Sequence, residues 1–184
     1  MQGVALESMG RLRDAAILYD SAASWEFAND FPSSIARRRT WVLTHVASAL
    51  AAGGDTARLP RLADSLRLLG ERSGFGRDRL LHHHVRGLLH LARGQDSLAI
   101  EELKAAIYSI TGGYTRTNLE LGKVYLRRNQ PREAIAILEP ALRGSLEASN
   151  LYAPRREIHT LLAQAYIAIG DGDKAAEHRR IAGK

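Results

Sequence analysis

The sequence predicts an all-α chain of antiparallel helical hairpins, and three observations carry that prediction. Glycine or asparagine recurs at Gly10, Gly54, Gly94, Asn129 and Gly170, at spacings of 44, 40, 35 and 41 residues, each time between two stretches of helical periodicity. Apolar residues on either side of these breaks repeat every three or four positions, the mark of one buried helical face. Small and large residues also alternate across a break, as in Leu121-Gly122, Tyr125, Ala134, Leu138 and Ala141, and a small residue opposite a large one lets two helices close on each other.

Composition narrows the class. The chain has 184 residues, 45% hydrophobic and 25% charged, which is ordinary for one globular domain with a sizeable core. No apolar run reaches the roughly 18 residues needed to span a bilayer, and no basic segment followed by an apolar one opens the chain. Cysteine is absent, which removes disulfides, thiolate nucleophiles and Cys-based zinc sites and fits a reducing, cytoplasmic setting. The net charge of +6 and pI near 10.0 invite a nucleic-acid reading. The excess is nearly all arginine, with lysine only at Lys104, Lys123, Lys174 and Lys184, a bias that a GC-rich coding sequence explains equally well, and nucleic acid is therefore disfavoured.

Taken in order, the first hairpin covers residues 1–24, with Gly3 before the Gly10 break and Ala15, Tyr19 and Ala22 after it. Counting back from Gly10 carries its first helix past Met1, so the chain is expected to begin inside a helix, as a piece of a longer array. A connection follows, where Asn29-Asp30 and Pro32-Ser33-Ser34 supply turn chemistry and a helix cap. In residues 33–70 a helix runs to Ala52 with Leu43, Val46, Ala47 and Leu50 inward. Gly53-Gly54 breaks it, and Asp55 is expected to cap a second helix carrying Leu59, Leu62, Leu66 and Leu69 and ending near Gly70. Pro60 is tolerable in its first turns. Leu59 departs from the pattern, because a small residue is expected there.

Gly74-Phe75-Gly76 leads into the third hairpin, residues 77–110, with Gly87, Gly94, Ala99, Leu103 and Ala106 in register and Thr111-Gly112-Gly113 closing it. The fourth, residues 114–146, is the clearest. Leu121 and Tyr125 share one face, Ala134 and Leu138 another, Asn129 tolerates a left-handed backbone, and Pro131 opens the second helix where its missing N–H costs nothing. Pro140 cannot donate to the Ala136 carbonyl, so a kink or early loosening is expected. Gly144 to Pro154 is a polar connection. The fifth hairpin, residues 154–184, has Leu162, Ala163 and Tyr166, the Gly170-Asp171-Gly172 turn, then Ala175 and Ala182, with Arg179 where a large apolar residue is expected. No further solvating helix follows, which suggests an excised segment or self-association at an open end.

The series Leu121-Gly122, Tyr125, Ala134, Leu138 and Ala141 resembles the tetratricopeptide repeat (TPR) family. The resemblance implies a right-handed α-solenoid forming a single domain over residues 1–184, whose repeats exceed the usual period of about 34 residues in most places. It also implies a non-catalytic scaffold that holds a protein or peptide in a concave groove. By register that groove is lined by Trp41, Thr44 and Ser48; by His84, Leu88 and Leu91; by Arg116, Leu119, Lys123 and Arg127; and by Glu157, Thr160 and Gln164. An apolar patch followed by Arg116, Lys123 and Arg127 suits a peptide of acidic character. The Lys/Asn set with which chaperone-binding relatives hold a C-terminal carboxylate is not reproduced, since His84, Leu88 and Glu120 stand there. The long repeats from Gly74 to Ala182 are loosely similar to the C-terminal TPR regions of bacterial transcriptional regulators and serine/threonine kinases. That similarity implies a bacterial cytoplasmic module that binds a partner or dimerises its parent. The alternatives kept open are homo-oligomerisation through open terminal repeats and an anionic or nucleic-acid partner on the Arg-rich faces.

Catalytic readings fare poorly. His82, His83, His84 and His90 crowd one helix, but no acidic residue lies between Leu80 and His90 and no His-Glu-x-x-His occurs, so packing or surface histidines are expected rather than a metal site. His83 and His90 fall at packing positions facing the next helix. No Gly-x-Ser-x-Gly elbow or phosphate-binding Gly-Lys-Ser/Thr loop is present, so neither catalytic residues nor a cofactor are expected. Arg37-Arg38-Arg39 opens a helix at the end where the macrodipole disfavours cations; a solvated face or an acidic neighbour would account for it. Arg155-Arg156 and Arg179-Arg180 are alike in kind.

Overall fold

A computed structural model describes residues 2–25, 30–111, 113–143 and 155–183. Among them are ten α-helices and one short 3-10 turn, falling into two compact units, Met1–Tyr108 and Ser109–Lys184. Asn29, Gly112 and the connection from Gly144 to Pro154 lie outside the described residues.

The first unit contains α1 (Gln2–Ser8), α2 (Leu12–Ala23), α3 (Pro32–Ala52), α4 (Leu59–Ser73), the 3-10 turn (Asp78–Leu80), α5 (Leu81–Ala92) and α6 (Asp96–Ala105). The second contains α7 (Thr115–Arg127), α8 (Pro131–Leu142), α9 (Arg155–Ala168) and α10 (Gly172–Ala182). Five hairpin turns are closed by one device. Gly10, Gly54, Gly94, Asn129 and Gly170 all have positive φ, with Asn129 at 56°. The residue after each donates its N–H to the carbonyl five residues back: Arg11 to Leu6, Asp55 to Leu50, Gln95 to His90, Gln130 to Tyr125 and Asp171 to Tyr166, at 2.8–2.9 Å. The turn residue itself donates to the carbonyl three back, as Gly10 does to Glu7 and Asn129 to Leu126. This is the Schellman arrangement, which satisfies orphan carbonyls at a helix end and needs a left-handed residue to do so.

Three hairpins close through a glycine. A Cβ on Gly3 would lie 2.4 Å from the Tyr19 ring, one on Gly87 2.6 Å from Leu103, and one on Gly122 2.7 Å from Leu138. In α3 and α4 small and large change places: Leu59 is fully buried where a small residue is usual, Ala63 is buried one turn later, and both share one core with Ala47 of α3. The unexpected leucine is therefore matched by an unexpected alanine.

Several local expectations are corrected. The Asp55 side chain does not cap α4 but accepts from the Ala57 N–H at 3.3 Å, and the helix starts at Leu59. Helix α3 starts at Pro32 with its fixed φ, ahead of Ser33 and Ser34. Helix α4 passes through Gly70 to Ser73, and Gly74, at φ 75°, ends it. Gly70 serves packing instead, since a Cβ there would meet the Asp78 carbonyl oxygen at 2.5 Å. Helix α8 ends at Leu142, two residues after Pro140, and Asp171 caps α10 by accepting from the Lys174 N–H at 3.1 Å.

The first unit buries Ala15, Val46, Leu59, Leu66, Val85 and their neighbours in one core. The second buries Leu119, Ala134, Leu138, Ile158, Leu162, Ala165, Tyr166 and Ala175.

Candidate functional site

Many of the residues assigned to a groove by register carry structural duties in the first unit. Trp41 is half-buried, and its indole N–H donates to Asp78 Oδ1 at 2.8 Å while the Arg77 guanidinium lies 4.8 Å above its ring. Thr44 and Ser48 are buried and donate to the carbonyls of Thr40 and Thr44, at 2.7 and 2.9 Å. The Ser48 hydroxyl also lies 3.2 Å from Nε2 of His84, which is fully buried. Leu88 is buried and Leu91 half-buried.

The second unit offers more surface. Leu119 is buried, Arg116 and Lys123 are half-buried, and Arg127, Thr160 and Gln164 are exposed. Lys123 on α7 pairs with Glu120 of its own helix at 2.9 Å and with Glu157 of α9 at 2.8 Å. Desolvation pulls its ammonium down, but the two carboxylates outweigh it and leave the pKa above the usual lysine value. The bridge sets two helical faces side by side: Arg116, Glu120, Lys123 and Arg127, and Glu157, Thr160 and Gln164.

The arginine run is engaged within its unit. Arg37 lies 4.0 Å over the Phe75 ring, Arg38 pairs with Asp30 at 2.7 Å and donates to the Trp25 carbonyl, and Arg39 donates to the Ala23 carbonyl at 3.1 Å. The carbonyl contacts of Arg38 and Arg39 tie the start of α3 to the end of α2. The clustered histidines are likewise paired. His83 donates from Nδ1 to Glu102 of α6 at 2.7 Å, His90 to the Gln95 side chain at 2.8 Å, and His82 to the Arg79 carbonyl at 2.8 Å. Burial first, then neighbouring His83, holds the His82 pKa below the usual imidazole value. Among the described residues no three His, Cys, Asp or Glu side chains converge on one point, and no helix is long and apolar enough to cross a membrane.

Two features escaped the register. An open cleft of about 480 Å³ between α2, α3 and α4 is floored by Leu43, Leu68 and Leu69 and rimmed by Asp20, Arg39 and Arg72. Asp20 there is already paired with Arg58 at 2.9 Å. In the second unit His159 and His178, both buried, meet Nδ1 to Nδ1 at 2.7 Å. His178 also stacks on Tyr166 at 5.5 Å and 8° between planes, and the Tyr166 hydroxyl donates to Glu139 of α8 while accepting from Lys174. The sequence held a signal for this: Ala175, His178 and Ala182 share a helical face, so His178 fills the place at which Arg179, which is exposed, looked anomalous.

No protein-family model and no curated protein matches the chain. Among solved structures it is similar to nearly identical TPR-like repeats of a Podosopora anserina protein assigned as a kinesin light chain. That likeness has a TM-score of 0.50 at 20% identity, covering 99% of this chain and 90% of that one. A singly substituted form of the same repeats gives a TM-score of 0.47 at 19% identity, with the same coverage. The first likeness is one of fold. With the repeated Schellman turns and glycine-closed hairpins, the chain has an all-α TPR-like repeat fold, a solenoid of helical hairpins.

Proposed function

We propose that the chain is a non-catalytic protein-interaction module that holds a polar peptide of acidic character on the α7–α9 face of its second unit. The observation that carries this reading is the Lys123–Glu157 bridge, which aligns the two helix faces and leaves Arg127, Thr160 and Gln164 at the surface beside it. TPR-like folds suggest partner binding in general, and a pair of parallel polar faces suits a segment laid along them. Lys123 acts here as an internal clamp rather than a contact, because two carboxylates already neutralise it. Arg116 and Arg127 stand on the same face of α7, Arg127 at the surface. Within the second unit Leu119 is buried and supports this face from beneath, and in the first unit only Trp41 and Leu91 of the register positions are half-buried, Thr44, Ser48, His84 and Leu88 being buried. A bacterial cytoplasmic setting fits this role.

The test is fluorescence anisotropy of the full chain against a pool of acidic peptides and its charge-reversed counterpart. The acidic pool is expected to bind, and Arg127→Glu with Gln164→Glu to weaken it by about tenfold or more, with affinity falling as salt rises. Equal binding of both pools, or indifference to the double substitution, would refute the reading.

A further inference from the structure

We propose that His159 and His178 share a single proton and form a pH-sensitive latch that holds α10 against α9. The geometry imposes the arrangement. At 2.7 Å between the two Nδ1 atoms there is room for one hydrogen, so one ring donates and the other accepts. Neutral, the pair therefore consists of two different tautomers. A proton added to the free Nε2 of the donor ring leaves this contact in place, but once both rings are charged N–H faces N–H and the contact must part.

The latch sits where it can matter. The buried residues of α10 are Ala175 and His178, so His178 is the large side chain by which this helix docks. Its ring lies between His159 and Tyr166 of α9, at centroid distances of 5.0 and 5.5 Å. The groups facing the pair do not supply a counter-charge that would favour the doubly protonated state. On α9 Arg155 opposes added charge, and on α10 Glu177 favours it more weakly. Glu139 of α8 and Lys174 are engaged by Tyr166. From α7, Glu120 and Lys123 are joined to each other and, through Lys123, to Glu157. Burial is the largest influence on His159, followed by His178 and Arg155, and together they hold its pKa below the usual imidazole value. Acidification that charges both rings opens the latch.

The experiment uses the full chain. Long-range proton–nitrogen NMR at pH 8 reports the tautomer of each ring, and hydrogen exchange corrected for its intrinsic pH dependence reports the protection of α10 amides. Opposite tautomers are expected for His159 and His178. Protection in α10 is expected to fall as pH drops below the histidine range, by up to about tenfold per pH unit for each proton linked to opening, while α7 and α8 hold. His178→Phe keeps the stack on Tyr166 and is expected to remove that pH dependence. Identical tautomers, or an undiminished pH response in His178→Phe, would overturn the proposal. Should that variant fail to fold, the wild-type chain still decides, because a shared-proton Nδ1–H signal that persists through acidification with α10 fully protected also overturns it.

Discussion

Replacing Gly122 with alanine isolates the close approach of α7 and α8. The added Cβ would lie 2.7, 2.7 and 2.8 Å from Cδ2, Cγ and Cδ1 of Leu138, which is fully buried and cannot swing into solvent. Overpacking of this kind costs about 1–3 kcal/mol, whereas glycine to alanine within a helix stabilises by about 1 kcal/mol. The net expectation for Gly122→Ala is a loss of about 1 kcal/mol, within a range of about 0–2. Leu138→Ala alone should cost about 2–5 kcal/mol through lost burial and a cavity. It also removes all three obstructing atoms, so in that background Gly122→Ala should stabilise by about 1 kcal/mol. The sign inverts with the partner, giving a coupling of about 1–3 kcal/mol. Urea unfolding followed by circular dichroism on the four chains measures it, since at a slope near 2 kcal/mol per molar a 1 kcal/mol change moves the midpoint by about 0.5 M. Strict additivity, or a Gly122→Ala chain more stable than the parent, would show that the glycine is not there to admit Leu138.

Other expectations follow from single contacts. Asn129→Gly should leave the melting temperature nearly unchanged, while Asn129→Val should cost about 1–2 kcal/mol by forcing a branched side chain into left-handed backbone; thermal melts separate the two. Trp41→Phe removes the indole donor from Asp78, whose Oδ2 already lacks a partner among the described residues, and should cost about 1–3 kcal/mol in urea unfolding. His82 and His159 are both held below the usual imidazole pKa, chiefly by burial. Unfolding lets each bind protons at a pH where the folded chain does not, so stability should be full above about pH 6.5 and fall on acidification below it. Melting curves across that window should flatten in His82→Gln and His159→Gln, and a chain that gains stability on acidification would contradict the assignment.

The turns were legible because a Schellman closure restricts residue identity. Only glycine, or asparagine at Asn129, enters the left-handed region cheaply, so five chain reversals announce themselves. Gly87 and Gly122 were legible for a related reason, since nothing larger admits Leu103 and Leu138. Gly70 shows the limit. A glycine required for the approach of a distant backbone looks, in sequence, like one that ends a helix, yet α4 continues through it to Ser73. The candidate site was less legible than the fold. Register places Thr44, Ser48, His84 and Leu88 at groove positions, but whether those positions meet solvent depends on packing that no local spacing encodes. The His159–His178 contact arises from two positions 19 residues apart that face each other only once the hairpin has closed.

The basic balance is also better judged from the fold than from the pI. An anion-binding surface needs cations that are clustered and available. Arg37 and Arg77 lie over the rings of Phe75 and Trp41, Arg38 and Arg58 pair with Asp30 and Asp20, and Lys123 sits between two glutamates. Arg38 and Arg39 also bind backbone carbonyls at the end of α2 and just beyond it, so two of the three consecutive arginines fasten two helices together. Guanidinium suits such work, with a flat face for an aromatic ring and a fork for oxygen. Arginines used in this way add positive charge to the sequence while serving contacts within the fold. Polyanion affinity should therefore be insensitive to removal of Arg37, Arg38 or Arg58, whereas a partner on the α7–α9 face should weaken in Arg127→Glu.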